Sequence, residues 1–461
     1  MLLDEARIDY KHQHPWESYA ASIESEWLQC QDEGLDVGAY AELFQAISKL
    51  EPGPIKDRLC DTLYTALSAC SIRPDWPYQE PSALEDILLE CPASTHASFP
   101  PVNYEKLPEQ IQGAWYGRIA GCLLGRPVEG RGFQLIDRFS RACGNFPIHR
   151  YFVRKDLQAL TAEESAMLDT PIAGFADTFN GAGIADDDIN YPIMNAYYVI
   201  DKHGRDFTPH DVAQAWMEAQ PKIAYCTAER RAYRNFVIGI MPPESATYKN
   251  PDRELIGAQI RADYYGYINP GDPKAAAAMA WRDACISHVK NGIYGSMWAA
   301  ACIAAAAVCS SPKDILQAGL EQIPRKSRLA ACLQQVLDWH ARGLTVWECF
   351  EQIRKQYSES SEYHWVHTLP NAMIVSAALL FGEGDFTKSI GLAVGAGYDT
   401  DCNGATVGSI IGMMHGITGI DSHWTEPLCG QTRTQILGHE CVQISDLVDI
   451  TLRHIRQKSS K

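Results

Sequence analysis

Apolar positions along this chain recur at helical spacing, and alternating strand-like patterns are scarce. In the first hundred residues the helical pattern is clearest in two sets, Tyr40, Leu43, Phe44, Ile47 and Leu59, Leu63, Leu67. From about residue 105 onward helical patterns dominate. The sequence therefore predicts an all-α protein.

A proline-rich stretch divides the chain. Residues 92–108 contain Pro92, Pro100, Pro101 and Pro108 and carry few periodic apolar positions. This composition predicts a linker or an arm. We therefore expect a helical N-terminal extension over residues 1–100, of undefined role, and a second domain over residues 101–461.

Composition and charge narrow the classes of partner. The chain has 461 residues and a formal net charge of −17, which argues against electrostatic binding of nucleic acid. The 15 cysteines have irregular spacings, which indicates buried thiols in a reducing compartment. The longest apolar runs, 297–309 and 405–414, are shorter than the ~20 residues that span a bilayer. No signal-peptide pattern is visible at the N-terminus, so we expect a cytoplasmic protein without membrane partners.

Two segments carry glycine at every fourth position. The first set is Gly113, Gly117, Gly121, Gly125, and the second is Gly404, Gly408, Gly412, Gly416. On a helix this spacing makes a stripe without side chains, and each glycine costs up to ~1 kcal/mol of helix stability relative to alanine. Close packing against another helix backbone would offset that cost. Each stripe ends next to a polar cluster, which suggests that these helices frame a site.

Two acidic clusters lie at predicted helix starts. The first is Asp186, Asp187, Asp188, and the second is Asp399 and Asp401 with Cys402 and Asn403. Acidic residues are common at helix N-termini because they satisfy free amide groups and the helix dipole. Three consecutive carboxylates also repel one another, which favours a counter-cation. Oxygen ligands of this kind suit Mg²⁺, Mn²⁺ or Ca²⁺, and two clusters from distant segments can build a two-metal centre.

A resemblance to a known family emerges from these motifs in combination. Residues 113–129 (GAWYGRIAGCLLGRPVE), the cluster at 186–188 and residues 397–416 (GYDTDCNGATVGSIIGMMHG) resemble the motifs of the ADP-ribosylglycohydrolase family, the relatives of dinitrogenase reductase-activating glycohydrolase. The motifs occur in the family's order and span roughly residues 110–420. The resemblance implies a compact, orthogonal all-helical domain with a magnesium centre, expected to hold two ions with Mn²⁺ as an alternative, that hydrolyses a ribosyl C1 bond.

The family's site residues carry over position by position. Its Thr-Asp-Asp metal motif matches Asp186, Asp187 and Asp188, with aspartate in place of threonine. Its Asp-x-Asp-Thr motif matches Asp399, Asp401 and Cys402, with cysteine in place of threonine. Glu129 matches an acidic residue that reaches the metal site in some members. The two replacements leave metal binding expected, mark a divergent branch and leave the substrate open.

The catalytic and substrate-binding residues are also matters of expectation. Glu129 or Asp187 is expected to activate a water for attack at the ribose C1. Substrate-binding candidates are Asn291, Gly292 and Gly295 before an alanine-rich helix, together with His367 and Tyr398. His288, His364 and Trp365 are weaker candidates. Each of these positions is equally explained by structural packing.

Three functions remain open from the sequence. The first is removal of ADP-ribose from a protein or small-molecule conjugate, at an N- or O-glycosidic bond. The second is hydrolysis of the N-ribosyl bond of a nucleoside-like metabolite. The third is a non-catalytic binding protein that retains the fold, against which the joint presence of Glu129, Asp187, Asp188, Asp399 and Asp401 argues.

Overall fold

The computed structural model describes residues 8–92 and 99–457. Residues 93–98, inside the predicted linker, lie outside the described part, as do residues 1–7 and 458–461. The helices are α1 (Ile23–Asp32), α2 (Ala41–Ser48), α3 (Pro54–Ser68), α4 (Leu84–Glu90), α5 (Leu107–Gly125), α6 (Phe133–Ala142), α7 (Ala162–Leu168), α8 (Asp187–Met194), α9 (Asp201–His203), α10 (Pro209–Ala219), α11 (Thr227–Val237), α12 (Gly257–Arg261), α13 (Asp263–Tyr267), α14 (Pro273–Ala284), α15 (Lys290–Ala306), α16 (Pro312–Leu320), α17 (Arg328–Ala341), α18 (Val346–Gln356), α19 (Thr368–Gly382), α20 (Phe386–Gly395), α21 (Thr400–His415), α22 (Ser422–Thr425) and α23 (Ile444–Arg456).

The expected all-α class is confirmed. Among the described residues, strands are limited to β1 (Gln431–Arg433) and β2 (Cys441–Gln443), which pair antiparallel with Thr432 opposite Val442. Short 3₁₀ turns connect many helices; two of them, Pro15–Glu17 and Ala20–Ser22, precede α1. Within the described ranges, none of the helices combines the length and the apolar character that crossing a membrane requires.

The two glycine stripes pack against each other at the centre of the molecule. α5 and α21 run antiparallel, because Gly113 faces Gly412 while Gly121 faces Gly404. A Cβ built on Gly121 would overlap the carbonyl group of Gly404 and lie 2.9 Å from the amide nitrogen of Ala405. The glycines therefore let two helix backbones touch. Gly416, expected within the second stripe, lies just after α21 with φ +76°.

Further helices bury this central pair. α15 and α19 are almost fully buried and pack against α21. α20 also packs mainly against α21, and α23 packs against α5. The large apolar core extends over these helices and includes Trp115, Trp298 and Met373. Since the helices are apolar on most sides, they are core helices, which explains why their sequences show weak amphipathic patterns.

The N-terminal region has a small apolar core of its own. Ile23, Ile47, Leu63 and Leu67 from α1, α2 and α3 are its centre. The region contacts the rest of the chain through both ion pairs and apolar groups: Arg253 binds Glu26 at 3.0 Å, Arg328 binds Glu80 at 2.9 Å, and Ile87 of α4 is part of the large apolar core. Both arginines are buried, so these charge pairs are desolvated.

Candidate active site

The glycine contact between α5 and α21 places the ends of both helices side by side. Gly125, the last residue of α5, lies against the backbone of Thr400 and Asp401 at the start of α21. The hydroxyl of Thr400 donates to the carbonyl oxygen of Gly125 at 2.8 Å. Residues that follow α5 and residues that begin α21 therefore share one site.

The first acidic cluster begins α8. Asp186 is the N-cap, and its carboxylate accepts a hydrogen bond from the amide of Asp188 at 3.1 Å. Asp188 is fully buried and pairs with Arg118 of α5 at 3.0 Å. Asp187 is partly exposed and lines a cavity. The capping role expected of such acids is thus present, and it uses only part of the cluster.

The second cluster begins α21. Asp399 is the N-cap residue of the helix, but its side chain makes no capping hydrogen bond among the described residues. The carboxylate of Asp401 accepts from the amide of Cys402 at 3.0 Å. Glu129, four residues after α5, has a carboxylate oxygen within 4.8 Å of oxygens on Asp399 and Asp401. Glu129 therefore joins the second cluster, as the sequence motif suggested.

Arg126 is the cation of the site. Its Nε lies 3.2 Å from a carboxylate oxygen of Asp186, and its Nη1 lies 3.3 Å from a carboxylate oxygen of Asp401. The same Nη1 also donates to Glu129. One guanidinium therefore links the first acidic cluster, the second cluster and the residue after α5.

Three carboxylates of the site, Glu129, Asp187 and Asp399, have raised pKa values and so resist ionisation. Burial, followed by the charge of Asp186, raises the pKa of Asp187 well above its usual range. Burial and the charge of Asp401 do the same to the pKa values of Glu129 and Asp399. Like charges crowded in a dry site disfavour the ionised forms, and a bound cation would reverse this effect.

The arrangement of acidic groups suits a divalent cation. Ligand atoms of Asp188, Asp401 and Cys402 lie within 4.8 Å of one another, and so do those of Cys122, Asp186 and Asp188. One oxygen each of Asp188 and Asp399 is buried and accepts no hydrogen bond from any residue that the structure describes. Buried carboxylate oxygens without donors are costly unless a cation binds them, so these residues fit a metal ion.

A cavity of about 590 Å³ opens onto the acidic clusters. Its floor includes Glu129, Asp187 and Asp401. One wall comes from the N-terminal region, through Trp16 and Ser25, and Trp365 lies on another side. Sequence reasoning found no chemistry in residues 1–100, so this wall is a finding of the structure.

The five predicted substrate-binding residues are absent from the described lining of this cavity. Asn291, Gly292 and Gly295 lie inside α15, and the side chain of Asn291 donates to Glu254 at 2.9 Å. His367 is buried with a pKa lowered to about 3 by burial, and Tyr398 donates its hydroxyl to the carbonyl of Tyr357. These side chains are occupied by structural contacts, and their role in substrate binding stays a prediction.

The weaker candidates divide in the same way. Trp365 lines the cavity, whereas His288 is fully buried beside Ser287. His364 is half-buried beside Tyr363 and is not part of the described lining.

Sequence reasoning also missed Arg118, Cys122 and Arg126. The signal was available, since all three lie within or just after the first glycine stripe and so on or beside a helix expected to frame the site.

Comparisons with known proteins give a family match. The family model described as ADP-ribosylglycohydrolase matches residues 103–457. A solved structure titled "ADP-ribosylglycohydrolase-related protein complex" is 18% identical, covers 76% of this chain and 99% of its own, and superposes with a TM-score of 0.47. Curated protein sequences give no match.

Proposed function

Because this chain belongs to the ADP-ribosylglycohydrolase family, we propose that it hydrolyses a ribosyl glycosidic bond with the help of Mg²⁺. The observation that carries the proposal is the meeting of two acidic clusters, from α8 and α21, at the floor of one cavity. Buried carboxylate oxygens without donors supply the ligands. Mg²⁺ is preferred to Zn²⁺ because most of the ligands are carboxylates, and Mn²⁺ is the closest substitute.

Separate residues hold the cation and move the proton. Asp186, Asp188, Asp399 and Asp401 are the proposed ligands, with Cys402 beside them. A bound divalent cation would supply a positive charge that orients the ribose hydroxyls. The carboxylate of Asp187 or Glu129 accepts a proton from water.

The balanced reaction is a single substitution at C1. The water oxygen forms a bond to C1 while the bond from C1 to the leaving atom breaks. The water proton passes to the carboxylate, and the leaving atom takes the electron pair of the broken bond. The leaving atom gains a proton from solvent, and the carboxylic acid returns its own proton to solvent, so water is the only reactant consumed. Both candidate bases line the cavity, where they can reach a water beside the substrate.

ADP-ribose attached to a protein or a small molecule is the first proposed substrate, since the family is named for the hydrolysis of ADP-ribosyl bonds. A second candidate, the N-ribosyl bond of a nucleoside-like compound, is favoured by the charge of the cavity. Among the described lining residues, Arg126 is the only cationic side chain, and three carboxylates already engage it. A diphosphate would meet few cationic partners there.

One panel tests these assignments. ADP-ribosyl-arginine, ADP-ribosyl-serine and a set of ribonucleosides are incubated with the protein, with Mg²⁺ and with EDTA. We expect release of ribose or ADP-ribose that EDTA abolishes. Turnover that persists in EDTA would contradict the metal role, and absence of turnover on every compound would favour the binding-protein alternative.

A variant isolates the base. Asp187→Asn should lower kcat by a factor of about 10²–10⁴, the usual contribution of a general base, while the protein stays folded. Asp137→Asn on the surface of α6 is the matched control and should retain full activity. If Asp187→Asn is fully active while Glu129→Gln is not, Glu129 is the base.

A further inference from the structure

The acidic floor of the cavity contains a permanent positive charge. Arg126 contacts Asp186 of the first cluster, Asp401 of the second and Glu129 between them. Its guanidinium carries five donors in a fixed plane and stays protonated under all ordinary conditions. It therefore offsets part of the negative charge of these carboxylates without any ion from solution.

Two further carboxylates of the site, Asp188 and Asp399, form no ion pair with Arg126 among the described residues. Each has one buried oxygen that accepts no hydrogen bond in the described part of the chain. A ligand atom of Asp188 lies close to ligand atoms of Asp401 and Cys402. Asp186 also has a buried oxygen without a hydrogen bond, but that oxygen lies 3.2 Å from Arg126.

We propose that Arg126 takes the place of one of the two expected cations, so that this chain binds a single divalent ion beside a fixed guanidinium. The ion lies with Asp188 and Asp401, whose ligand atoms are close together beside that of Cys402, and it uses the Asp401 oxygen that Arg126 does not contact. Arg126 supplies the second positive charge. The inference rests on the proposed function only in assuming that the site binds a divalent metal.

Electrostatics explains why both cations cannot use the same oxygens. A second divalent ion would need Glu129 with Asp399 and Asp401, or Asp186 with Cys122 and Asp188. Arg126 already pairs with Glu129 of the first set and with Asp186 of the second. Two cations a few ångströms apart repel strongly in a dry site. Arg126 cannot lose its charge to relieve this repulsion, so the second ion would have to displace it.

The position of Arg126 is built into the fold. The residue follows Gly125 directly, and Gly125 is fixed by its backbone contact with Thr400 and Asp401. Only about a third of the Arg126 side chain is exposed. The same contact that joins the two glycine stripes thus holds the guanidinium between the clusters.

Counting bound Mn²⁺ tests the proposal without using activity. The full chain is titrated with Mn²⁺, and stoichiometry is measured by calorimetry and by electron paramagnetic resonance, which detects coupling between two close ions. We expect one ion per chain and no coupling. Arg126→Ala and the better size match Arg126→Met should each bind two ions, with a coupled signal.

Each outcome decides the matter. Two coupled ions in the unaltered chain would overturn the proposal and leave the proposed hydrolase intact. One ion in both Arg126 variants would also overturn it, provided that they remain folded. No bound Mn²⁺ in the unaltered chain would overturn this proposal together with the metal role in the proposed function. Arg141→Ala on the surface of α6 is the control and should bind one ion.

Discussion

Cys402 shows how one side chain shapes this metal site. It occupies the position where the family resemblance places a threonine hydroxyl, and its sulfur lies close to oxygens of Asp188 and Asp401. Burial and the charge of Asp188 raise the pKa of its thiol well above its usual range. A neutral thiol is a weak ligand for Mg²⁺, so the carboxylates are left as the main ligands.

Asp32, outside the site, gives a pH-dependent prediction. It is the last residue of α1, and burial raises its pKa from 3.8 to about 6, although Arg328 acts in the opposite direction. A raised folded pKa favours the protonated form. The stability that the protonated carboxyl contributes is therefore fully present below pH 3.8 and is lost as pH rises through about 6. Above that pH the free energy of unfolding is lower by about 3 kcal/mol than below pH 3.8.

Asp32→Asn should remove this pH dependence. At pH 4 we expect similar unfolding free energies for the variant and the unaltered chain. At pH 7.5 the variant should be more stable by about 3 kcal/mol, because it leaves no buried charge. Urea unfolding at the two pH values measures the difference. Gln31→Ala, at an exposed neighbour, is the control, and a gap that does not grow with pH would refute the assignment.

At the scale of elements, the contact between α5 and α21 should be intolerant of any side chain. Alanine normally stabilises a helix by up to ~1 kcal/mol relative to glycine. At Gly121 the added Cβ would overlap the carbonyl group of Gly404. Gly121→Ala should therefore destabilise the protein, by about 1–3 kcal/mol in the range of overpacked cores.

Thermal and urea unfolding of Gly121→Ala measure this cost. Gly38→Ala is the matched control, because a Cβ at Gly38 meets no atom within 4 Å among the described residues. The control should change stability by less than about 0.5 kcal/mol. A Gly121→Ala variant as stable as the Gly38→Ala control would mean that the two helices move apart at little cost.

The sequence predicted that each glycine stripe packs closely against another helix, but not that the two stripes pack against each other. A four-residue glycine period has one simple physical meaning on a helix, so the close backbone contact followed from the spacing alone. The acidic clusters were also recognisable from local sequence, because consecutive carboxylates at a helix start repel one another and favour a bound cation. Which stripe would meet which depended on long-range packing, and no local pattern encodes that choice.

The substrate-binding residues were harder to predict. Asn291 and His367 look like ligand-binding groups in sequence, yet in the fold their polar atoms serve Glu254 and the start of α19. A polar residue in an apolar segment signals a buried partner, without saying whether that partner is protein or ligand. Arg126 was missed for the opposite reason, because an arginine after a helix usually lies in solvent.

At the scale of the whole molecule, the N-terminal region is joined to the rest through buried charges. Arg253 is paired with Glu26 and Glu33, and Arg328 is paired with Glu80. Gln29 also donates to Glu254 at 2.8 Å. The same region supplies the Trp16 wall of the cavity. Its contribution is therefore both structural and local to the proposed active site.

This attachment predicts that residues 101–461 will not form a stable protein alone. Without residues 1–100, Arg253 would lose both carboxylate partners and would be left as an uncompensated charge. Removing one partner of a buried pair typically costs about 3–5 kcal/mol, comparable with the 5–15 kcal/mol stability of a whole protein. We expect a chain that begins at residue 101 to be insoluble or to unfold at much lower urea concentration than the full chain.

A second variant shows whether the buried charge is the cause. In the shortened chain, Arg253→Met removes the charge that lost its partners, so it should recover part of the stability. In the full chain the same substitution takes the arginine partner from Glu26 and leaves Glu33 with Lys290 alone, so it should destabilise. Urea midpoints of the four proteins measure this reversal of sign. If the shortened chain is as stable as the full chain, the N-terminal region is a dispensable wall of the cavity, and its ionic contacts contribute nothing to folding.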